Sequence, residues 1–357
     1  MKYTQHNWYA LLALLVAFAL GSCGSSKQAT GTNAGKQYNT YAVAFYNMEN
    51  LFDAEDDPNN KGDDDYLPTG PYAWTQVQYE KKLDNLARVI SLLGQEYTPY
   101  GPAFIGTAEI ENRRVLEDLT QRDAIKGMGL KVIHEDGPDR RGIDVAALYN
   151  PNIFKLEGYK YYPFKWDERP DFVTRDQLHV YGTIAGERIH FIVLHWPSRY
   201  GGHKSNPLRE AAARTTLAIV EEIQASEPDA KVVIMGDLND DPTNTSVTEV
   251  LNAKTHRSEV APKGIYNPSA SLFAKGIGTL VYQNKWNFFD QMMVTHGLIS
   301  SESNLRLWKM EVFDRNFLIT QEGKRKGYPH RTFENNSFID GYSDHFPVLI
   351  YLLQERH

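Results

Sequence analysis

One cysteine, Cys23, stands in 357 residues, so no disulfide can form within the chain. The longest apolar run, residues 8–20, is shorter than the roughly 20 residues a helix needs to cross a bilayer. Lys and Arg (38) do not exceed Asp and Glu (45), and no basic tail or broad basic run occurs. That excludes binding of nucleic acid by charge alone. It does not exclude an enzyme of nucleic acid, because a metal can neutralise carboxylates inside a site. No G-x-S-x-G elbow, phosphate loop or H-E-x-x-H pair is present, which removes the common serine-hydrolase, P-loop and zincin schemes. No internal repeat appears. The remainder is an ordinary globular composition, 41% hydrophobic with 26 Gly and 17 Pro. Its length admits two domains or one large α/β domain.

The N-terminus reads as a targeting segment. Lys2 precedes the apolar stretch, which ends in small residues, as a secretory signal does. "LGSC" resembles a bacterial lipobox, and the resemblance implies cleavage after residue 22 and lipid attachment at Cys23. Residues 23–40, rich in Gly, Ser, Thr and Ala, read as a flexible tether. Residues 41–357 are then expected to form one domain of a monomeric lipoprotein, exported to the cell envelope and facing the periplasm or the outside, with no protein partner indicated.

Within that domain, short β-branched or aromatic runs alternate with helical patterns. Strands are expected at 41–47, 103–109, 145–150, 189–195 and 231–237, and helices near 75–93 and 207–225. Segments 53–74, 239–285 and 301–340 read as loops. The first holds seven acidic residues but lacks calcium-loop spacing, so it reads as a solvated acidic loop. Trp166, Trp196 and Trp286 read as core aromatics, and His179 and His330 as structural histidines.

Polar residues recur at strand ends. Asn47, Glu109, His195 and Asp237 close apolar runs, whereas Asp290 and the pair Asp344–His345 open theirs. A parallel sheet would put these two groups about 17–20 Å apart. Antiparallel final strands would gather them at one edge, so a mixed sheet and one acidic, histidine-containing cleft are expected. Ser343, Asp344 and His345 are consecutive and alternate in direction on a strand, so they cannot form a nucleophilic triad among themselves. Glu109, Asp344, Asp237, Asn47 and Asn239 are hard oxygen donors suited to Mg²⁺ or Mn²⁺, and the same donor type accepts Ca²⁺. A metal on a phosphoryl oxygen, with two histidines for proton transfer, makes a phosphate-ester hydrolase. Arg141, Arg175 and Arg199 are candidate phosphate clamps.

Taken in order, "FYNMEN", "IGTAEIEN", "RRGIDVAALYN", "VLHWPSR", "MGDLND", "FFDQMMV" and "YSDHFPV" resemble the motif series of the endonuclease/exonuclease/phosphatase family over about residues 41–353. That family includes DNase I, abasic-site endonucleases, neutral sphingomyelinases and inositol-polyphosphate 5-phosphatases. The resemblance implies a four-layer α/β/β/α sandwich with two mixed sheets. It implies that Glu109 is the main metal ligand, with Asn47 and Asp344 nearby. Asp237 and Asn239 would hold the attacking water, the phosphate or a second metal. Asp290 would orient His345, and Asp144 would pair with His195; His345 and Asp237 both stand as the general base. The function expected is metal-dependent phosphodiester hydrolysis, with nucleic acid as substrate. The alternatives are a phosphomonoesterase or phospholipid/inositol-phosphate hydrolase, and a surface lipoprotein that binds without catalysis.

Overall fold

The structure, a computed structural model, describes residues 36–58 and 60–356. The signal segment, Cys23 and most of the tether lie outside these residues. In chain order the strands are β1 (Tyr38–Leu51), β2 (Pro102–Ile110), β3 (Lys131–Ile133), β4 (Asp144–Tyr149), β5 (Phe154–Tyr162), β6 (Gln177–Ile184), β7 (Glu187–His195), β8 (Val232–Asp237), β9 (Ile265–Tyr266), β10 (Leu280–Tyr282), β11 (Lys285–Asn287), β12 (Asp290–Thr295), β13 (Leu305–Val312), β14 (Phe333–Glu334), β15 (Ser337–Phe338) and β16 (Val348–Glu355). The main helices are α1 (Gln76–Leu92), α2 (Arg113–Thr120) and α3 (Asn206–Ser226). One six-stranded sheet runs β13-β16-β1-β2-β4-β3, and the other runs β5-β6-β7-β8-β12-β9.

Both sheets are mixed. β1 is parallel to β2 and antiparallel to β16; β7 is parallel to β8, and β12 is antiparallel to β8. The final strands therefore reverse direction, as the placing of the polar residues requires. The central strands carry apolar residues on both faces. In β7, β8 and β12, Phe191, Val193, Val233, Met235, Met292 and Val294 join the core between the sheets. Alternate residues Ile192, Leu194, Val232, Ile234 and Met293 pack with Ile219, Val220 and Ile223 of α3. The period-2 pleat thus divides each strand between two cores. α1 and α2 cover the first sheet, which completes the four layers.

The sheets approach closely at Gly106 of β2. A Cβ there would fall 2.7 Å from the Met235 sulfur and 3.1 Å from Val193, so no larger residue fits without movement. Beside it Phe104 stacks on Phe191 with centroids 4.0 Å apart. Helix starts follow local chemistry: Thr75 and Gln78 form a reciprocal capping box on α1, and the Asn112 side chain caps α2 by accepting from Val115.

Several boundaries differ from the sequence reading. β1 starts at Tyr38, inside the segment read as a tether, because it pairs with Glu355 of β16. β5 and β6 form a hairpin ladder at a sheet edge, and their half-polar pattern hid them. β13, within a segment read as a loop, pairs with β16.

Candidate active site

Sheet register assembles half of the site. His195 lies opposite Asp237 in the β7/β8 pair, and Asp290 lies opposite Asp237 in the β8/β12 pair. The last residues of two strands and the first of a third therefore share one row. In the other sheet Asn47 faces Ala108, and the β1/β2 ladder slips just beyond them. Glu49, Asn50 and Glu109 take left-handed φ values of 48°, 50° and 63° at this slip, and Asn239 takes 50° beside Asp237. Bulges of this kind re-aim side chains, and such φ values persist in non-glycine residues only where surrounding bonds hold them. Here the Asn50 amide donates to Glu109 Oε2 at 2.9 Å, and the Asn239 amide donates to Asp237 Oδ1 at 2.9 Å.

The Ser343–Asp344–His345 run was expected to begin a strand. Instead β16 starts at Val348, and the three residues lie in the approach to it. Pro347 has no N–H for the ladder and stands immediately before the strand. Ser343 fixes this approach: its hydroxyl donates to the Asn47 carbonyl (2.7 Å) and accepts from the His345 amide (3.1 Å). Hydrogen bonds, not pleat alternation, set the directions of Asp344 and His345.

His345 Nδ1 lies 2.7 Å from Asp290 Oδ2, which also accepts from the Thr279 hydroxyl at 2.5 Å. The opposite ring nitrogen, Nε2, faces Asp344 Oδ1 at 3.8 Å and Asp237 Oδ2 at 3.9 Å. Burial opposes charge on His345, but Asp290, Asp237 and Asp344 outweigh it and lift its pKa well above the usual value. Asp237 is buried, and burial raises its pKa to about 7 despite the attraction of His345. The Asn47 amide donates to Asp237 Oδ2 at 3.1 Å, joining the two sheets.

His195 Nε2 stands 3.7 Å from Asp237 Oδ2 and 3.9 Å from Glu109 Oε1. Burial first, then Arg175, Arg141 and His345, push its pKa well below the usual value, so its ring is neutral at pH 7. The expected Asp144–His195 pair does not form. Asp144 turns to His134 (Oδ2 to Nε2, 3.3 Å) and accepts from the Gly137 amide, both in the loop after β3. His195 Nδ1 is buried without a hydrogen-bond partner.

The three arginines separate. Arg141 donates to Asn50 Oδ1 (2.6 Å) and lies 3.6 Å from Glu109, with half of its side chain exposed. Arg175 is not placed to clamp a substrate: it is buried, with one arm on Asp139 (2.9 Å) and the other on the Trp196 carbonyl (2.7 Å). Arg199 stacks on Phe289 and bonds the Asn239 carbonyl, Asp240, Asp241 and Asn244, so it braces the loop carrying Asn239. Trp196 is core, but Trp286 is 39% exposed and stacks on Phe346, next to His345, contrary to the expectation of burial.

Sequence reasoning missed a second charged group. Buried Glu49 bonds Arg331 (3.0 Å) and accepts from the Thr332 amide (2.6 Å). Lys82 donates to the Glu49 carbonyl and the Thr332 hydroxyl, and Arg331 reaches Asp344 at 3.2 Å. Burial raises the Glu49 pKa to about 7 and lowers that of Lys82 to about 8. Glu49 could have been suspected from its place two residues after Asn47. Lys82, beside Lys81 on a helix, carries no sequence signal. Asp344 keeps a lowered pKa because His345, Arg331 and Lys82 outweigh its burial.

Glu109, Asp344, Asp237 and Asn47 present oxygen donors from both sheets to one edge. This donor set fits a hard divalent ion.

A sequence model described as the Endonuclease/Exonuclease/phosphatase family matches residues 42–354. No curated protein sequence matches the chain. Among solved structures, a humanized TDP2 of D. rerio is similar at a TM-score of 0.55 and 14% identity, over 88% of this chain and 99% of that one. An endonuclease/exonuclease/phosphatase family protein of Bacteroides thetaiotaomicron aligns at 0.51 and 15%, over 90% of this chain and 100% of that one. A mannosyl-6-phosphatase of the same organism aligns at 0.50 and 16%, over 87% and 99%.

Proposed function

The chain belongs to the endonuclease/exonuclease/phosphatase family, and from that premise we propose that it is a divalent-metal-dependent phosphodiesterase acting on nucleic acid. The observation that carries the reading is the buried His345–Asp290 pair, whose free ring nitrogen faces Asp237 on the same edge as Glu109. The phosphodiester choice is supported by D. rerio TDP2, a structure of which is complexed with a single-strand DNA product.

Glu109, Asp344 and Asn47 would hold Mg²⁺ or Mn²⁺. When bound, the ion supplies Lewis-acid polarisation of a phosphoryl oxygen. Asp237, poised near neutrality, accepts a proton from the attacking water, and Asn239 and Asn47 orient it. Charged His345 donates a hydrogen bond or proton to a phosphate oxygen through Nε2, while Asp290 holds the ring by Nδ1. Neutral His195 donates from Nε2 to a second oxygen. Arg141 on one flank and Arg331 on the other offer guanidinium charge to the phosphate.

Those two flanking guanidiniums also favour a second reading, a phosphomonoesterase, since a terminal phosphate carries more charge than a diester. The mannosyl-6-phosphatase shares the fold. Plasmid DNA, oligonucleotides and a sugar phosphate, compared with one enzyme preparation, separate the two.

Export and anchoring at Cys23 belong to the same proposal, on the strength of the signal-like N-terminus and its "LGSC" ending. Glu109→Ala and His345→Ala should each cut hydrolysis by about 10²–10⁴-fold with Mg²⁺ present. Near-normal turnover in either variant overturns the mechanism.

A further inference from the structure

The acidic loop after β1 is not wholly solvated. Asp63 is 1% exposed, and one of its carboxylate oxygens, Oδ1, is buried without a hydrogen-bond partner. The other, Oδ2, accepts from the Asp57 amide at 2.8 Å. Two further carboxylates, those of Asp56 and Asp64, each bring an oxygen to within 4.8 Å of the Asp63 carboxylate and of each other. Both are exposed, so they line the open side of the cluster. Placing three carboxylates together around a buried, unsatisfied oxygen is costly unless a cation joins them.

We propose that Asp56, Asp63 and Asp64 form a calcium-class cation site, separate from the catalytic centre. The donors are all hard oxygens, which excludes zinc- and copper-type ligation. An irregular loop with two solvent-facing carboxylates suits Ca²⁺, which accepts six to eight oxygens in flexible geometry and completes its shell with water. Mg²⁺ demands a near-ideal octahedron and suits this loop less well. The spacing does not follow the twelve-residue calcium loop, which is why the sequence did not reveal it.

The loop also touches the catalytic edge. A Cβ at Gly62 would fall 2.1 Å from the Arg141 carbonyl, and one at Gly142 would fall 2.1 Å from Asn60 Oδ1. The two segments are therefore in direct backbone contact, and Arg141 carries a guanidinium to Asn50 and Glu109. A cation that orders the loop orders the turn behind Arg141.

Terbium luminescence tests this on the full chain. Tyr66 lies two residues beyond Asp64, buried on Phe52 with ring centroids 4.2 Å apart, and serves as the sensitiser. The background is Glu109→Gln, which weakens ion binding at the catalytic centre. Tyrosine-excited Tb³⁺ emission that Ca²⁺ displaces is expected in this background. Adding Asp56→Asn and Asp64→Asn, both at exposed positions, should weaken Tb³⁺ and Ca²⁺ at least tenfold, and Asp63→Asn should abolish the signal. Absent emission in the Glu109→Gln background, or Ca²⁺ displacement unchanged in the triple variant, overturns the site. Limited proteolysis gives an independent readout: Ca²⁺ should protect residues 53–66 in wild type and not in Asp56→Asn/Asp64→Asn.

Discussion

At the scale of the residue, the site depends on how differently its two histidines are treated. His345 is held charged by Asp290 at 2.7 Å, whereas His195 is buried without a carboxylate on Nδ1 and stays neutral. Asp290→Asn removes the charge that raises the His345 pKa. If charged His345 is the working form, activity falls as pH rises through that pKa, and lowering it moves the alkaline limb of the kcat/KM profile to lower pH. A profile of unchanged shape would show that Asp290 acts only in packing. Asp144 supplies the opposite test. It faces His134, so Asp144→Asn should leave turnover within about threefold, whereas His195→Ala should cost about 10²-fold or more. Equal losses would restore the Asp144–His195 pairing. The pairing of Asp290 with His345 was legible through the resemblance of "FFDQMMV" and "YSDHFPV" to the family's motifs. The partner of Asp144 was not, since the direction of a side chain at the first residue of β4 depends on the loop after β3. Arg175 likewise looked like a free cation until the position of Asp139 was known.

At the scale of the element, strand polarity was the most informative thing in the chain. Polar residues that end some apolar runs and begin others demand reversed strands, and β12 and β16 are reversed. β5, β6 and β13 escaped notice for a common reason: they lie toward sheet edges, where one face can be polar and the apolar period weakens. The bulges around Glu49–Asn50 and Glu109 escaped because no residue there is glycine, although each takes a left-handed φ. The interface between sheets makes a prediction of its own. Gly106→Ala should destabilise the protein by about 1–3 kcal/mol, since its Cβ would press on Met235 and Val193. Denaturant unfolding measures it, and an unchanged midpoint would mean that the sheets separate freely there. Catalysis should suffer less than stability, because Gly106 lies three residues before Glu109 and away from the row of acids.

At the scale of the whole molecule, the catalytic edge and the origin of β1 lie at opposite ends of that strand. The nine residue-to-residue steps of extended chain from Tyr38 to Asn47 cover about 30 Å. With the proposed anchor at Cys23, the tether would join the domain at the end of β1 opposite the site, which leaves the site open to soluble or polymeric substrates. The lipidated protein on vesicles should therefore hydrolyse an oligonucleotide at a rate within about twofold of the unlipidated form, with little release of phosphate from the vesicle's own lipids. A strong preference for lipid would overturn the choice of nucleic acid over lipid headgroups. No described helix is long and apolar enough to cross a membrane. The same ladder that opens the first sheet also closes it. Tyr38 is the antiparallel partner of Glu355, and the Arg356 amide donates to the Gln37 carbonyl. The fold's beginning and end are thus neighbours on one face, and a short Gly-Ser splice between them would seal the chain into a ring. Reopened in the exposed turn at residues 321–324, which lies outside every strand, such a circular permutant keeps all of its catalytic strands uncut.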